Sequence, residues 1–266
     1  MTHNQTYFVT GASGFIGREL CKKLIQSKAT VKVLIRQNDD ELLKLGVKIW
    51  IGDLFDKKKL KEAVNDADIV IHCAGDARFG DGSHYNKANV ELTRLIIEAT
   101  KYAKQSVKFI FISTMGTVDR SSNDNCTEPL DENSPTFPSS DYGKSKLEAE
   151  AIIKESNIPY IIIRPSTVVG ESMRQNSHFS FFANKALLNS FFSRIAWPGE
   201  FSVIHISDLI SAILFLAIHP GAVGNIFFCA GDKITLSNFF KLCNPQKKQI
   251  SIKLLISIIR LFYYFL

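Results

Sequence analysis

Short apolar runs alternate with amphipathic stretches through the first half of the chain, and each pair reads as a strand followed by a helix. Residues 7–10 are an apolar run that ends at glycines. Within 15–25, Phe15, Ile16, Leu20, Cys21, Leu24 and Ile25 share one helical stripe. Residues 31–35 predict a second strand and 47–51 a third, followed by a helix marked by Leu60, Ala63 and Val64. Residues 69–74 are apolar but for His72, as a parallel strand covered on both faces should largely be. A long helix over 88–103 points Val90, Leu92, Leu95, Ile96 and Ala99 inward. Residues 109–112 predict a fifth strand, 119–139 a polar, proline-rich loop, 142–154 a helix, and 160–163 a sixth strand ending at Arg164-Pro165.

This alternation predicts an α/β fold: a Rossmann-type doubly wound parallel sheet with a smaller C-terminal substrate region. The division expected is 1–165 for the nucleotide-binding domain and 166–266 for the substrate-binding region. A segment near 203–219 is expected to return to the Rossmann core.

The turn after the first run reads Thr10-Gly11-Ala12-Ser13-Gly14-Phe15-Ile16-Gly17. Glycines there permit a tight turn, close approach to a pyrophosphate and close helix–strand packing. Gly11, Ser13, Gly14, Phe15, Ile16 and Gly17 are thus candidate cofactor residues. The second strand ends in Arg36, where an enzyme selective for the 2′-hydroxyl would often carry an acid; this predicts NADP(H) in preference to NAD(H). Asp39, Asp40 and Glu41 read as loop. In Gly52-Asp53-Leu54, Asp53 is either an acceptor for the adenine amino group or a turn or helix-cap aspartate.

Tyr142 and Lys146 stand four apart at the start of a helix, one above the other. An ammonium beside a phenol favours the phenolate, so Lys146 is expected to lower the Tyr142 pKa and suit it to proton exchange with a hydroxyl or carbonyl. Ser113 and Thr114 end the fifth strand, and either hydroxyl is a candidate to polarise a substrate oxygen. The alternative for these two is local bonding to backbone.

With these motifs in this order, together with Ile71-His72-Cys73-Ala74-Gly75, Asn89-Val90, Arg164-Pro165 with Gly170, and His205-Ile206-Ser207-Asp208-Leu209, the chain resembles the extended short-chain dehydrogenase/reductases of the NAD(P)-dependent epimerase/dehydratase superfamily. The likeness runs from about residue 5 to about residue 240. It implies that Thr114, Tyr142 and Lys146 are catalytic, that Lys146 also holds the nicotinamide ribose, that Ala74 and Gly75 line the cofactor, and that Pro165 passes near the nicotinamide. The 113–118 segment and the Arg36 strand end look most like the dihydroflavonol-reductase and 3β-hydroxysteroid-dehydrogenase branch. Val118-Asp119 stands where sugar-nucleotide epimerases usually carry Tyr-Gly.

Phe179, Phe181, Phe182, Phe191, Phe192, Trp197 and Phe201 crowd the substrate region, while Arg174, Lys185 and Arg194 are its candidate anion partners. The expected substrate is therefore a hydrophobic small molecule whose secondary alcohol and ketone are interconverted. A sugar-nucleotide epimerase or dehydratase is the alternative, and a non-catalytic dinucleotide-binding protein the second alternative. His72, His178 and His205 lack metal-ligand spacing, and no metal is expected.

Charge and cysteines place the molecule. The chain of 266 residues carries 32 Lys and Arg against 26 Asp and Glu, but six of the basic residues and none of the acids lie from Lys233 onward. The rest is neutral, so no nucleic-acid partner is expected. Five dispersed cysteines and an N-terminus without a secretory signal suggest the cytoplasm. Residues 250–266 hold 13 apolar positions, broken only by Ser251, Lys253, Ser257 and Arg260. Such a run predicts a basic amphipathic helix, too short for the ~20 residues of a span. Peripheral membrane contact is one expectation for it. Packing on the substrate region or on the partner in a homodimer is the other.

Overall fold

The computed structural model describes residues 5–78, 82–103, 105–119, 129–171, 173, 190–197, 199–243, 245–246, 248–253 and 256. The first six strands are β1 (Thr6–Thr10), β2 (Thr30–Ile35), β3 (Lys48–Ile51), β4 (Ile69–His72), β5 (Lys108–Ile112) and β6 (Tyr160–Pro165). Between them lie α1 (Phe15–Gln26), α2 (Asp40–Lys44), α3 (Lys57–Val64), α4 (Leu92–Lys101) and α5 (Asp141–Glu155). A π-helical turn, Asn86–Glu91, leads into α4.

The large sheet has seven strands in the order β10-β6-β5-β4-β1-β2-β3, with β10 spanning Ile226–Cys229. Every pairing in it is parallel. The chain builds outward from β1 to β3, then returns and builds the other way from β4. The switch point between β1 and β4 is where such sheets take their ligand. Alternation along the strands sends Tyr7 and Val9 to one face and Phe8 to the other. The first face is covered by Leu20, Cys21 and Leu24 of α1 with Leu209, Ile210 and Ile213 of α6 (Ile206–Ile218). The second is covered by Leu60, Ala63 and Val64 of α3, Leu92, Ile96 and Ile97 of α4, and Ala149 and Ile153 of α5. This is the doubly wound Rossmann architecture expected.

Beyond β6 the chain adds β7 (Thr167–Val169), β8 (Ile195–Ala196), β9 (Glu200–His205), β11 (Lys233–Thr235), α7 (Leu236–Cys243) and β12 (Ile250–Ser251). They form a three-stranded sheet, β11-β9-β7, and a two-stranded one, β12-β8. Two parts of this half join the main core: α6 packs on α1, and β10 extends the sheet beside β6.

Three local departures have local causes. Asp39 to Glu41 are not loop: Asp39 caps α2 by accepting from the Leu42 N–H at 3.2 Å. Pairing of β4 stops at His72, because the next residues bend toward the glycine turn. The expected single helix over 88–103 starts earlier and carries the π-turn, which lets Asn89 face inward, 1% exposed.

The expectation for the C-terminal run is corrected. Ile250 and Ser251 are strand, pairing in parallel with Ile195 and Ala196, and Ile252, Lys253 and Ile256 are helical, so the expected helix starts after a two-residue strand. Among the described residues no helix is long and apolar enough to cross a membrane. Peripheral contact through 250–266 is not carried forward; residues 254–255 and 257–266 lie outside the described residues.

Candidate active site

The glycine turn is fixed by space. Gly11 has φ +69, and a Cβ there would lie 2.7 Å from the Ala74 nitrogen; at Gly17 a Cβ would strike the Gly11 carbonyl, 2.7 Å from its carbon. The turn thus presses against the end of β4 and against the first turn of α1 at once. Gly14 is the N-cap of α1, with no side-chain cap and no acid in the first turn. The amide-rich, positive helix end is left for a ligand's negative charge. Ser13 is exposed, while Phe15 and Ile16 are half-buried. A close backbone cradle at an uncapped helix, sitting on the switch point, suits a dinucleotide pyrophosphate.

A buried polar chain runs from this turn to α5. The Ala74 N–H donates to Thr10 Oγ1 at 3.1 Å, and Thr10 Oγ1 lies 2.7 Å from His72 Nδ1. His72 Nε2 lies 3.0 Å from Thr93 Oγ1, which donates to the Asn89 carbonyl at 2.5 Å. Asn89 Nδ2 donates to Ser145 Oγ at 2.9 Å, and Ser145 donates to the Tyr142 carbonyl at 2.8 Å. Burial, with the Lys146 charge adding to it, drives the His72 pKa well below the usual histidine range, so the ring is neutral. Asn89 also holds the loop after Gly75: its Oδ1 accepts from the Asp76 N–H at 2.8 Å.

At the end of β5 the two hydroxyls part company. Ser113 is buried and donates to Glu150 Oε1 at 2.5 Å. Thr114 is half-buried and caps the next turn, accepting from the Gly116 N–H at 3.2 Å, so its own proton remains to be donated. Glu150 also receives both arms of Arg164 from β6. One turn earlier on α5, Lys146 is buried; its Nζ donates to the Ile112 carbonyl at 2.6 Å and lies 3.9 Å from the Phe111 ring centre. Burial brings its pKa down to about 7, against the opposing pull of Glu150 and Cys73.

Here the expected phenolate effect is corrected. Burial pushes the Tyr142 phenol up to about 12, with Tyr85 and Asp76 adding to the rise. Lys146 lies one turn away as the spacing predicts; one of its three N–H donors goes to the Ile112 carbonyl, and burial outweighs any lowering of the phenol by its charge. The Tyr85 ring meets Tyr142 edge-on, with centroids 5.7 Å apart.

The remaining predicted positions fall along the same C-terminal edge of the sheet. Asp53 is exposed and accepts from the Phe55 N–H at 2.9 Å, a local turn bond, while the cap of α3 is Asp56. Leu54 packs on the core. Gly75 lies so close to Asn89 that a Cβ would be 2.7 Å from Oδ1. Pro165 is buried at the end of β6, and beside it the Ser166 hydroxyl is buried with no hydrogen-bond partner among the described residues. Such an orphan at this edge fits a ligand that supplies a polar atom.

Of the substrate region, Phe191 is exposed and Trp197 and Phe201 are half-buried; Arg194 is exposed. Phe179, Phe181, Phe182, Arg174, Lys185 and His178 lie outside the described residues. Among the described residues no group of three or more His, Cys, Asp or Glu is placed to hold a metal. Pattern reading passed over Thr10, Thr93, Ser145 and Glu150.

Comparison with known proteins places the chain. The model of the NAD dependent epimerase/dehydratase family matches residues 7–230. UDP-glucose 4-epimerase from Vibrio cholerae is 27% identical over 236 residues, 84% of this chain and 70% of that protein. A bifunctional dihydroflavonol 4-reductase/flavanone 4-reductase from Pyrus communis is 26% identical over 94% of this chain and 79% of its own. A solved UDP-glucuronic acid 4-epimerase from Bacillus cereus, in complex with UDP-glucuronic acid and NAD, has a TM-score of 0.75 at 23% identity, covering 92% of this chain and 85% of that one.

The expectation of NADP(H) is corrected by these structures, which hold NAD in this and further similar complexes. Arg36 is exposed at the end of β2, and Arg18 is bound by Asp39 and by Glu41, each at 2.7 Å. The glycine cradle at the switch point, the seven-stranded parallel sheet and the match over 7–230 lead to one assignment: the chain belongs to the NAD dependent epimerase/dehydratase family and is an NAD(P)-dependent enzyme.

Proposed function

We propose that the protein is an NAD(H)-dependent epimerase or dehydratase of a nucleotide-linked sugar, which begins by oxidising a secondary hydroxyl of the substrate to a ketone. The observation that carries this reading is the position of Tyr142 and Lys146 on α5, beside the free hydroxyl of Thr114 and joined through Asn89 to the end of β4 that the glycine turn abuts. NAD, when bound, supplies the acceptor for hydride. In the fold by itself burial keeps Tyr142 a phenol; as the phenolate, which the positive charge of bound NAD would favour, it would take the hydroxyl proton as the carbinol carbon loses hydride and return a proton to the ketone oxygen when hydride comes back. Thr114 donates its O–H to the same oxygen. Lys146 holds the nicotinamide ribose, and its positive charge offsets that of the phenolate. Support for the substrate class comes from the V. cholerae and B. cereus enzymes, which act on or hold UDP-sugars.

A second reading, reduction of a hydrophobic ketone, is supported by the P. communis reductase and by Val118-Asp119 in place of Tyr-Gly. It corresponds to the dihydroflavonol-reductase branch. The test is to incubate the purified protein with NAD and a panel of UDP- and dTDP-sugars, following products by NMR and NADH by absorbance. Sugar conversion without net NADH is expected. Inert sugars, with stoichiometric NADH oxidation by a flavonoid ketone, would overturn the first reading in favour of the second.

A further inference from the structure

We infer that His72 is a positioning residue, a neutral imidazole of fixed tautomer that ties the glycine turn to the helix carrying Tyr142. The inference rests on the proposed roles of the glycine turn and Tyr142. The proton on Nε2 follows from the bond pattern, and full burial away from any counter-charge keeps the ring neutral. The Asn89 carbonyl can only accept, so the Thr93 proton goes to it. Thr93 Oγ1 must then accept from His72 Nε2–H at 3.0 Å. A neutral ring with its proton on Nε2 has an acceptor at Nδ1, and Thr10 donates to it at 2.7 Å. Thr10 Oγ1 still accepts from the Ala74 N–H. Each proton in this chain has one direction, and each hydroxyl both gives and receives.

The mechanical consequence is specific. Ala74 is the residue whose nitrogen would lie 2.7 Å from a Cβ on Gly11, so it sets the depth of the nucleotide cradle. At the other end of the chain, Asn89 bonds Ser145, and Ser145 bonds the Tyr142 carbonyl. His72 is fully buried, with the rings of Phe111 and Phe109 at 5.4 and 6.0 Å, and Lys146 is the charged group that bears on it. No water competes for its bonds, so both ends are held at fixed separation. A side-chain amide places a donor and an acceptor much as the two ring nitrogens do, and glutamine is the conservative replacement.

The test compares H72Q and H72L with the wild type in NADH fluorescence titration and in turnover. H72L is expected to weaken NADH binding and lower kcat, each by about tenfold, with substrate KM changed less than twofold. H72Q is expected to recover most of both, and its pH–rate profile across the ordinary histidine range should match the wild type, because burial holds the native ring's pKa well below that range. Imidazole 15N NMR should show the proton on Nε2. A folded H72L with wild-type NADH affinity and kcat, or a limb of the pH profile lost in H72Q, would overturn the inference. If H72L does not fold, T93V decides: wild-type NADH affinity and kcat in that variant would overturn it equally. Should Y142F retain full turnover, the reading of the site fails instead, while the NADH titrations still judge His72.

Discussion

Arg164 grips Glu150 through two hydrogen bonds, Nε to Oε1 at 3.0 Å and Nη2 to Oε2 at 2.6 Å, and both side chains are shut off from solvent. The pair pins β6 to α5 one turn beyond Lys146, and it draws in the Ser113 hydroxyl as well. Removing one partner strands a buried charge. Glu150→Gln is therefore expected to lower unfolding stability by about 3–5 kcal/mol in urea denaturation. A loss under 1 kcal/mol would mean that water reaches the pair.

Gly17→Ala tests the cradle. Its methyl group would meet the Gly11 carbonyl, which is backbone and cannot swing away. The expected result is a loss of at least ~10-fold in NADH affinity, since a displaced loop loses its amide contacts to the pyrophosphate. Fluorescence titration gives the value, and unchanged affinity would remove the glycine turn from nucleotide binding.

Tyr142→Phe should lower turnover by at least ~100-fold while nucleotide affinity stays within about twofold, because only the proton-transfer group is lost. Steady-state assays with bound-nucleotide measurement separate the two effects. Equal loss in both would point to a packing role against Tyr85.

The depressed Lys146 pKa predicts a stability trend with a definite sign. Its folded pKa, about 7, lies below the ordinary lysine value of 10.5, so between the two the unfolded chain binds more protons and stability rises with pH. The group's cost is full below about pH 7 and fades toward pH 10, with a slope of at most about 1.4 kcal/mol per pH unit. Lys146→Met has no such group. The stability of wild type relative to this variant should therefore climb from pH 7 to pH 10 in parallel urea series. A flat difference would show that Lys146 keeps its ordinary pKa in the folded protein.

The amino-acid pattern by itself determined the strand–helix alternation, the glycine turn and the Tyr142–Lys146 spacing. All three are local: burial on both faces demands continuous apolar strands, a tight turn demands glycine, and four residues make one helical turn. What only the tertiary structure decided involves partners far apart in sequence. Ser113 and Thr114 are chemically alike and adjacent, yet Glu150, 37 positions on, takes the proton of one and leaves the other free. The spacing predicts that Lys146 lowers the Tyr142 phenol; in the fold Lys146 bonds the Ile112 carbonyl and burial pushes the phenol up. Arg36 at the end of the second strand predicts selection of a 2′-phosphate, whereas the similar solved structures hold NAD. The apolar tail was read as one helix, and pairing with residues 195–196 made its beginning a strand. For the two hydroxyls and Lys146, burial and competition for one hydrogen bond settled the outcome; for the tail, strand pairing did. Those terms depend on which segments meet, and a linear pattern does not contain them.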